Sequence, residues 1–487
     1  MKISELLVNV KTSISLADAF EVKGLQNDSR RIVAGDLFIA YPGAATDGRQ
    51  YIKQAIQAGA VGVLYEPEGF SIPIDEGFTI PLIPVPQLSQ QLAVIANQFY
   101  HHPSNHVAVI GVTGTNGKTT IAYQLAQAYE LLGKRSAYIG TIGQGNVQAL
   151  KPLLNTTPDA LCLQQLLYGY ETAGAHNVCM EVSSHALSLG RVDGIEFVQA
   201  IYTNLSHDHL DFHGTFEAYA EAKALLFSFE SLQSAVINYD DAHSQKMQKS
   251  VPKNCQLITY GIKSGADVRA TSWQMNMTGS TIEVVSPWGK HTLHSQSLGR
   301  FNLYNTLAVF ASLMAREVAS EHAIVEVMGQ LKASPGRMEI VAQKPCVIVD
   351  YAHTPDALEN VLQTLVSLKP QKLWVVFGCG GDRDRTKRPV MGKIASQYAD
   401  FVVLTNDNPR TEDPDLIIQE IRQGMPSDSE IDSICDRREA IHHALRDAGE
   451  NDIVLIAGKG HEDYQIIGQQ KFMFSDQAVV REFLNNN

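Results

Sequence analysis

Residues 107–120 read VAVIGVTGTNGKTT. An apolar, β-branched run passes into glycines, and Lys-Thr-Thr then opens a helical pattern. The stretch therefore predicts a strand, a tight turn and a helix N-terminus in succession. Glycines let backbone N–H groups converge on phosphate oxygens, and the positive end of the helix dipole favours the same ligand. Gly114, Thr115, Asn116 and Gly117 form a candidate phosphate loop, with Thr120 in the first helical turn beyond it. In such a loop Lys118 would reach the β/γ-phosphates and the Thr119 hydroxyl would ligate Mg²⁺. One departure stands out: the general pattern begins with glycine at 112, and this chain has Val112 between Gly111 and Gly114. A plain glycine turn between strand and helix is the competing reading. No guanine-reading Asn-Lys-x-Asp segment is apparent, so ATP fits better than GTP.

Working outward, apolar runs alternate with helical patterns. Strands are predicted near 107–112, 137–141 and 178–182, with a helix over 119–132. Beyond a second joint, strands are predicted near 347–350, 373–377, 401–405 and 453–457, with a helix over 356–368. Buried strands alternating with helices imply α/β domains with mostly parallel sheets, whose ligands bind at the C-terminal ends of the strands. The 487 residues suggest about three domains. Two proline-marked joints divide them, one at Pro81, Pro84 and Pro86, the other at Pro335-Gly336. The expected domains are 1–87, 88–334 and 335–487.

Composition narrows the function classes. A net charge of −13 disfavours nucleic acid as the main partner but allows a local basic site for an anionic metabolite. No apolar run approaches the roughly 18 residues of a membrane span, and the N-terminus lacks a signal-peptide core. The six scattered cysteines include no CxxC pair, which suits reduced thiols in the cytoplasm.

Three further stretches carry chemistry. Glu181 ends the buried strand of CMEVSSHAL, where a carboxylate is costly unless it holds a cation or accepts hydrogen bonds. Mg²⁺ shared with Thr119 would answer that cost, and so would a strand end capped by Ser183 and Ser184. The loop YTNLSHDHLDFHG gathers His207, Asp208, His209, Asp211 and His213, either as a metal site or as residues satisfying one another. Lys223, on the helical pattern YAEAKALLF, reads by itself as a solvated charge. Finally, LTNDNPRTEDP, residues 404–414, ends a strand in a turn that presents Arg410 among Asp407, Glu412 and Asp413. Such a turn is a loop tied by surface charge pairs or a clamp for a small anion.

In order, GTNGKTT, EVSSHAL, TNLSHDHLDFHG, YAEAKALLF, GRFNLYNTLA, PGRMEIV, VDYAHTPDAL, FGCGGDRDRTKRP, LTNDNPR and AGKGHED resemble the Mur ligase family across essentially the whole chain. These are ATP-dependent amide-forming enzymes of peptidoglycan precursor synthesis. The resemblance implies a small N-terminal α/β domain for a uridine nucleotide, a central P-loop ATPase-like domain and a Rossmann-like C-terminal domain. It implies that Lys223 is carbamylated by CO₂ and, with Thr119, Glu181 and His209, holds Mg²⁺, two ions in all. Lys118, Lys223 and His209 would be catalytic, and Asn302, Arg337 and Asp350 would join the phosphate loop in binding ATP. Without the resemblance those last three would read as loop caps.

For UDP-MurNAc-L-Ala-D-Glu, the resemblance points to Ser29, Ala44, Ala45, Thr46, Asn155, Thr156, Thr157, Ser183 and Arg191. A glutamine common in relatives is Leu189 here, which weakens one contact. The Asp-Asn-Pro-Arg signature implies use of meso-2,6-diaminopimelate, with Arg410 on its distal carboxylate. Arg383, Asp407, Asn408, Pro409 and Gly458 would complete that site, and Glu462 would take the ammonium. His353 lies in a family motif, an exposed or structural histidine being the alternative. The expected reaction phosphorylates the D-Glu γ-carboxylate and lets the amino acid displace phosphate, in a cytoplasmic monomer without membrane insertion. The rivals are an L-lysine-adding ligase, which would lack Arg410, and a catalytically inactive ATP-binding scaffold. A folylpolyglutamate synthetase accounts poorly for NDSRR and YPGAATDGR.

Overall fold

The computed structural model describes residues 1–12, 20–43, 46–71, 79–206, 208–368, 370–426 and 431–486. Ala44, Ala45 and His207, named above, lie outside them. The chain forms two compact units, Met1–Tyr260 with Ala311–Val318, and Gly261–Phe310 with Ala319–Asn487.

The first unit holds two sheets. Gly24–Gln26, Asp36–Ala40, Gly62–Tyr65 and Leu82–Pro84 lie side by side in chain order, all parallel. Leu25, Leu37, Ile39 and Leu64 of this sheet share a core with Leu88, Leu92 and Ile95 of the Leu88–Phe99 helix. In the second sheet Ala108–Thr113 runs between Asn177–Glu181 and Phe197–Tyr202, parallel to both. Ser136–Gly140 lies beyond the first neighbour, with Ser234–Asn238 and Gln256–Gly261 beyond the second. The chain thus builds one side of Ala108–Thr113 and then crosses to the other. Its C-terminal end is a topological switch point, where ligands of open α/β sheets bind.

Val112 finds its explanation here. It pairs with Glu181 on one side and Ile201 on the other, and its side chain is fully buried. The position belongs to the strand, and the turn begins only at Gly114.

In the second unit the strand order is Glu339–Gln343, Cys346–Asp350, Ile453–Ala457, Leu373–Phe377, Phe401–Leu404 and Ile431–Ser433. The first is antiparallel and the rest parallel. Helices Pro355–Ser367, Lys387–Tyr398 and Pro414–Arg422 cover one face, while Arg437–Asp447 and Asp476–Asn486 cover the other. Every sequence-predicted strand and helix is present, with ends shifted by a residue or two.

An antiparallel meander of Val268–Asn276, Gly279–Ser286 and Gly289–Ser295 was not anticipated. Its strands alternate buried and exposed residues (Ile282 and Val284 inward, Glu283 outward), the period-two pattern of a sheet with one wet face. Among the described residues no helix is long and apolar enough to cross a membrane. All six cysteines are unpaired thiols, four of them buried.

Candidate active site

The 114–117 turn bends at two glycines with positive φ, +147° at Gly114 and +89° at Gly117. A Cβ on Gly114 would lie 1.8 Å from Thr203 Oγ1, so no other residue fits there. Thr203 Oγ1 donates to Asn116 O at 2.6 Å, and Asn116 N–H donates to Asn204 Oδ1 at 3.0 Å, which lashes the turn to the neighbouring strand's end. Lys118, Thr119 and Thr120 open the Lys118–Leu131 helix. Lys118 Nζ donates to the carbonyls of Gly114 and Thr115 at 2.9 and 2.8 Å.

Glu181 has no exposed surface, and hydrogen bonds compensate for its burial. Oε1 accepts from Tyr138 Oη at 2.5 Å and Thr141 N–H at 2.8 Å. Oε2 accepts from Thr119 Oγ1 at 3.0 Å and Thr141 Oγ1 at 3.2 Å. Thr119 commits its proton to Glu181 and keeps oxygen lone pairs for a hard cation, so this donor set fits Mg²⁺ chemically. A Cβ on Gly140 would come within 2.2 Å of Tyr138 Oη and 2.3 Å of Glu181 Oε1. Gly140→Ala is therefore expected to cost about 1–3 kcal/mol of stability, read as a lowered midpoint in thermal denaturation. An unchanged midpoint would mean that the carboxylate network yields without strain.

Lys223 departs from what its helical pattern alone suggests. It is 1% exposed, and its side chain is not a solvated charge. Its Nζ donates to Gly114 O at 2.8 Å, the same carbonyl that Lys118 approaches, and lies 4.5 Å from the Tyr219 ring centroid. No carboxylate pairs with it among the described residues. Burial first, and the Lys118 charge second, push its pKa well below the usual lysine value. A lysine shifted in this direction presents more of its unprotonated, nucleophilic amine, the form that reacts with CO₂.

His209 is exposed, in a left-handed conformation (φ +54°), with its ring 4.8 Å from His185 and 6.0 Å from Tyr219. Partial desolvation of its ring lowers its pKa, with Asp208 opposing that shift and Lys118 adding to it. His213 Nε2 bonds Ser184 Oγ at 2.9 Å. Among the described residues no three His, Cys, Asp or Glu side chains form a metal-holding group.

The threonines of LNTTP gather beside Glu181. Thr156 Oγ1 meets Thr141 Oγ1 at 3.1 Å, Thr157 Oγ1 donates to Glu181 O at 2.9 Å, and Arg191 Nη1 donates to Thr157 O at 3.1 Å. Ser183 caps the Ser184–Ser188 helix, and Asn155 is exposed. Ser29 is buried and donates to Gln54 Oε1 at 3.1 Å, while Thr46 is exposed. Both follow strands of the first sheet. So does Tyr41, which sequence reasoning missed: burial raises its pKa, with Asp159 adding to that effect and Arg191 opposing it.

In the second unit, Asn302 Nδ2 donates to Leu298 O at 2.7 Å. Asp350 accepts from the N–H groups of Met338 and Ala352 at 2.7 and 2.8 Å, and burial raises its pKa against the pull of Arg337. Arg337 lies over the Tyr351 ring at 4.5 Å. His353 is exposed, its Nδ1 bonded to Tyr351 O at 2.8 Å.

Asp407, Asn408, Pro409 and Arg410 follow the Phe401–Leu404 strand, and Gly458 and Glu462 follow Ile453–Ala457. Arg410 Nη1 donates to Gly381 O at 2.8 Å, and Arg383 Nη1 donates to Asp382 O at 3.2 Å. Neither guanidinium has a carboxylate partner among the described residues. Asn408 Nδ2 donates to Glu462 Oε2 at 2.9 Å. Buried Lys459 ties the two loops, reaching Asn408 Oδ1 at 3.1 Å, Glu462 Oε2 at 3.3 Å and Asp407 Oδ1 at 3.4 Å.

Family models match almost end to end: "Mur ligase family, catalytic domain" over residues 21–100, "Mur ligase middle domain" over 112–313, and "Mur ligase, glutamate ligase domain" over 336–460. The UDP-N-acetylmuramoyl-L-alanyl-D-glutamate–2,6-diaminopimelate ligase of Chromobacterium violaceum is 45% identical over 469 residues, 95% of this chain and 94% of its own. That of Coxiella burnetii is 45% identical over 98% of both chains. The chain belongs to the Mur ligase family. A solved structure of a ligase with the same description superposes with a TM-score of 0.73 at 38% identity, covering 100% of this chain and 99% of the other.

Two buried arginines of this Mur ligase escaped the sequence reading. Arg437 pairs with Asp476, neither side chain exposed, and donates to Ala457 O at 3.0 Å beneath the loop of Gly458. Arg388 sits behind the Arg410 turn. Both lie in charged helical stretches that give no local sign of burial. Arg388 and Lys459 both stand inside motifs already singled out, FGCGGDRDRTKRP and AGKGHED, but neither motif says which of its charges is buried.

Proposed function

We propose that this Mur ligase joins meso-2,6-diaminopimelate to the D-Glu γ-carboxylate of UDP-MurNAc-L-Ala-D-Glu at the expense of ATP. The observation that carries the amino-acid assignment is Arg410, whose guanidinium, among the described residues, hydrogen-bonds carbonyl oxygens alone at a strand's C-terminal end. A buried-side guanidinium left without an acid is poised for the carboxylate of a ligand. Names of relatives at 45% identity agree with it.

The γ-carboxylate attacks the terminal phosphorus of ATP, giving an acyl phosphate and ADP. The amine of the amino acid then adds to the acyl carbon, and the tetrahedral adduct collapses to the amide with loss of phosphate and a proton. In this reading, the N–H groups of 117–119 at the helix N-terminus and the Lys118 ammonium hold the transferring phosphoryl group, so positioning and charge stabilisation do most of the work. Thr119, Glu181, His209 and carbamylated Lys223 would hold Mg²⁺, which when bound neutralises phosphate charge. Asn302, Arg337 and Asp350 serve ATP, while Ser29, Thr46, Asn155, Thr156, Thr157, Ser183 and Arg191 serve the uridine-nucleotide peptide. Arg383, Asp407, Asn408, Gly458 and Glu462 complete the amino-acid pocket. The domain limits 1–87, 88–334 and 335–487 and a cytoplasmic site of action belong to the same proposal.

Phosphate release from ATP with UDP-MurNAc-L-Ala-D-Glu tests the reading. Release with meso-diaminopimelate and little with L-lysine is expected; equal or faster release with lysine overturns the amino-acid assignment. ATP binding without turnover on either would favour the scaffold. For Lys223, ¹³C-labelled bicarbonate should give a carbamate signal by NMR that disappears in Lys223→Met. A signal persisting in that variant would refute carbamylation at this lysine.

A further inference from the structure

The side chain of Arg388, in the Lys387–Tyr398 helix, has no exposed surface. Its Nη1 donates to Glu412 Oε2 at 2.9 Å and Glu420 Oε2 at 2.7 Å. Its Nη2 donates to Glu412 Oε1 at 2.9 Å and Gly380 O at 3.1 Å. A guanidinium forked across both oxygens of one carboxylate is among the strongest pairings available. These hydrogen bonds hold the Glu412 carboxyl down at about 2.

Glu412 stands two residues beyond Arg410 in the same turn. The two side chains grip opposite ends of one peptide unit. Arg410 Nη1 donates to Gly381 O at 2.8 Å, and Asp382 N–H donates to Glu412 Oε1 at 2.5 Å. Across a planar peptide, those bonds put the two charges within about 8 Å of each other. A carboxylate so close, if uncommitted, would compete for Arg410. Instead Arg388 occupies it. Of the other acids here, Glu420 is shared between Arg388 and Arg385, and Asp382 accepts from the Thr411 N–H and Oγ1 at 3.2 and 2.8 Å.

We propose that Arg388 is a specificity-determining positioning residue: by engaging both oxygens of Glu412 it keeps that carboxylate off Arg410. The Arg410 guanidinium is thereby left for the distal carboxylate of the amino-acid substrate. This inference rests on the diaminopimelate reading above. The plainer alternative is that Arg388 only buttresses the 378–386 and 405–413 loops, which also bond directly through Gly381 N–H to Asn408 O and Thr411 Oγ1 to Asp382 Oδ1.

The two roles separate in a double variant. The ratio of kcat/KM for meso-diaminopimelate over L-lysine is measured in wild type, Arg388→Met, Glu412→Gln and Arg388→Met/Glu412→Gln. Taken on one preparation, the ratio does not depend on the folded fraction. Arg388→Met is expected to raise the KM for diaminopimelate about tenfold or more and to lower the ratio accordingly, with the KM for ATP unmoved. Adding Glu412→Gln removes the competing charge without restoring the guanidinium. The ratio should return to within about threefold of wild type while the melting temperature stays as low as in Arg388→Met. An unchanged ratio in Arg388→Met, or a double variant no better than the single, overturns the inference. Should the methionine variant not fold, Arg388→Lys, which cannot span Glu412 and Glu420 together, supports the same comparison. A wild type that does not favour diaminopimelate would defeat the underlying assignment instead.

Discussion

Arg410→Ala lowers kcat/KM for meso-diaminopimelate by about 30- to several-thousand-fold, corresponding to the ~2–5 kcal/mol lost when one partner of a buried charge pair is removed. The KM for ATP and the slow turnover of L-lysine stay close to wild type. Phosphate release with each amino acid in turn measures both. The expectation follows from the turn's construction: the backbone of Arg410 is pinned independently of its side chain. Its N–H donates to Ile466 O at 3.1 Å, and its carbonyl accepts from Gly468 N–H at 2.7 Å. Truncation therefore removes the guanidinium and leaves the loop in place. Fitting or losing a methylene changes selectivity by only about 1–3 kcal/mol, so charge should dominate the choice between the two amino acids. An equal loss with both amino acids would mean that the turn itself had collapsed.

Lys118→Ala reduces kcat by about 10²–10³-fold, the effect of removing one preorganised donor from developing charge. A second consequence follows from the shared carbonyl of Gly114. After burial, the Lys118 charge is what lowers the Lys223 pKa. Without it the Lys223 pKa rises toward its ordinary value, the ammonium form gains at neutral pH, and the carbamate fraction falls. Lys118→Ala and Lys223→Met should therefore combine non-additively. Raising the pH should recover part of the carbamate signal in Lys118→Ala, because the amine deprotonates again. Additive losses, or a carbamate signal indifferent to Lys118, would show that the two lysines act separately.

How far the chain could be read in advance differs by position. The phosphate loop, the strands feeding both sites and the class of sheet were all legible. Their signals are local: apolar runs short enough for strands, glycines where φ must be positive, and a helix N-terminus after a strand. The turn at 407–410 was legible as a place where a charge is presented, though not whether that charge was paired. The antiparallel meander was passed over because a bulge between Ala270 and Ser272 sets two exposed residues, Thr271 and Ser272, side by side and breaks the alternation.

What the sequence by itself determined, then, is an α/β ligase scaffold with a phosphate-binding turn, and through its ordered motifs the Mur ligase family. What only the tertiary structure decided is the electrostatic state of the groups that matter. Lys223 reads as a surface cation until residues 109 apart in the chain meet at one carbonyl and burial lowers its pKa. Arg410 reads as one charge among several until Arg388 is seen to occupy Glu412, the acid two residues beyond it. Propensity acts over a few neighbouring residues, whereas desolvation and charge pairing depend on what the fold brings within a few ångströms.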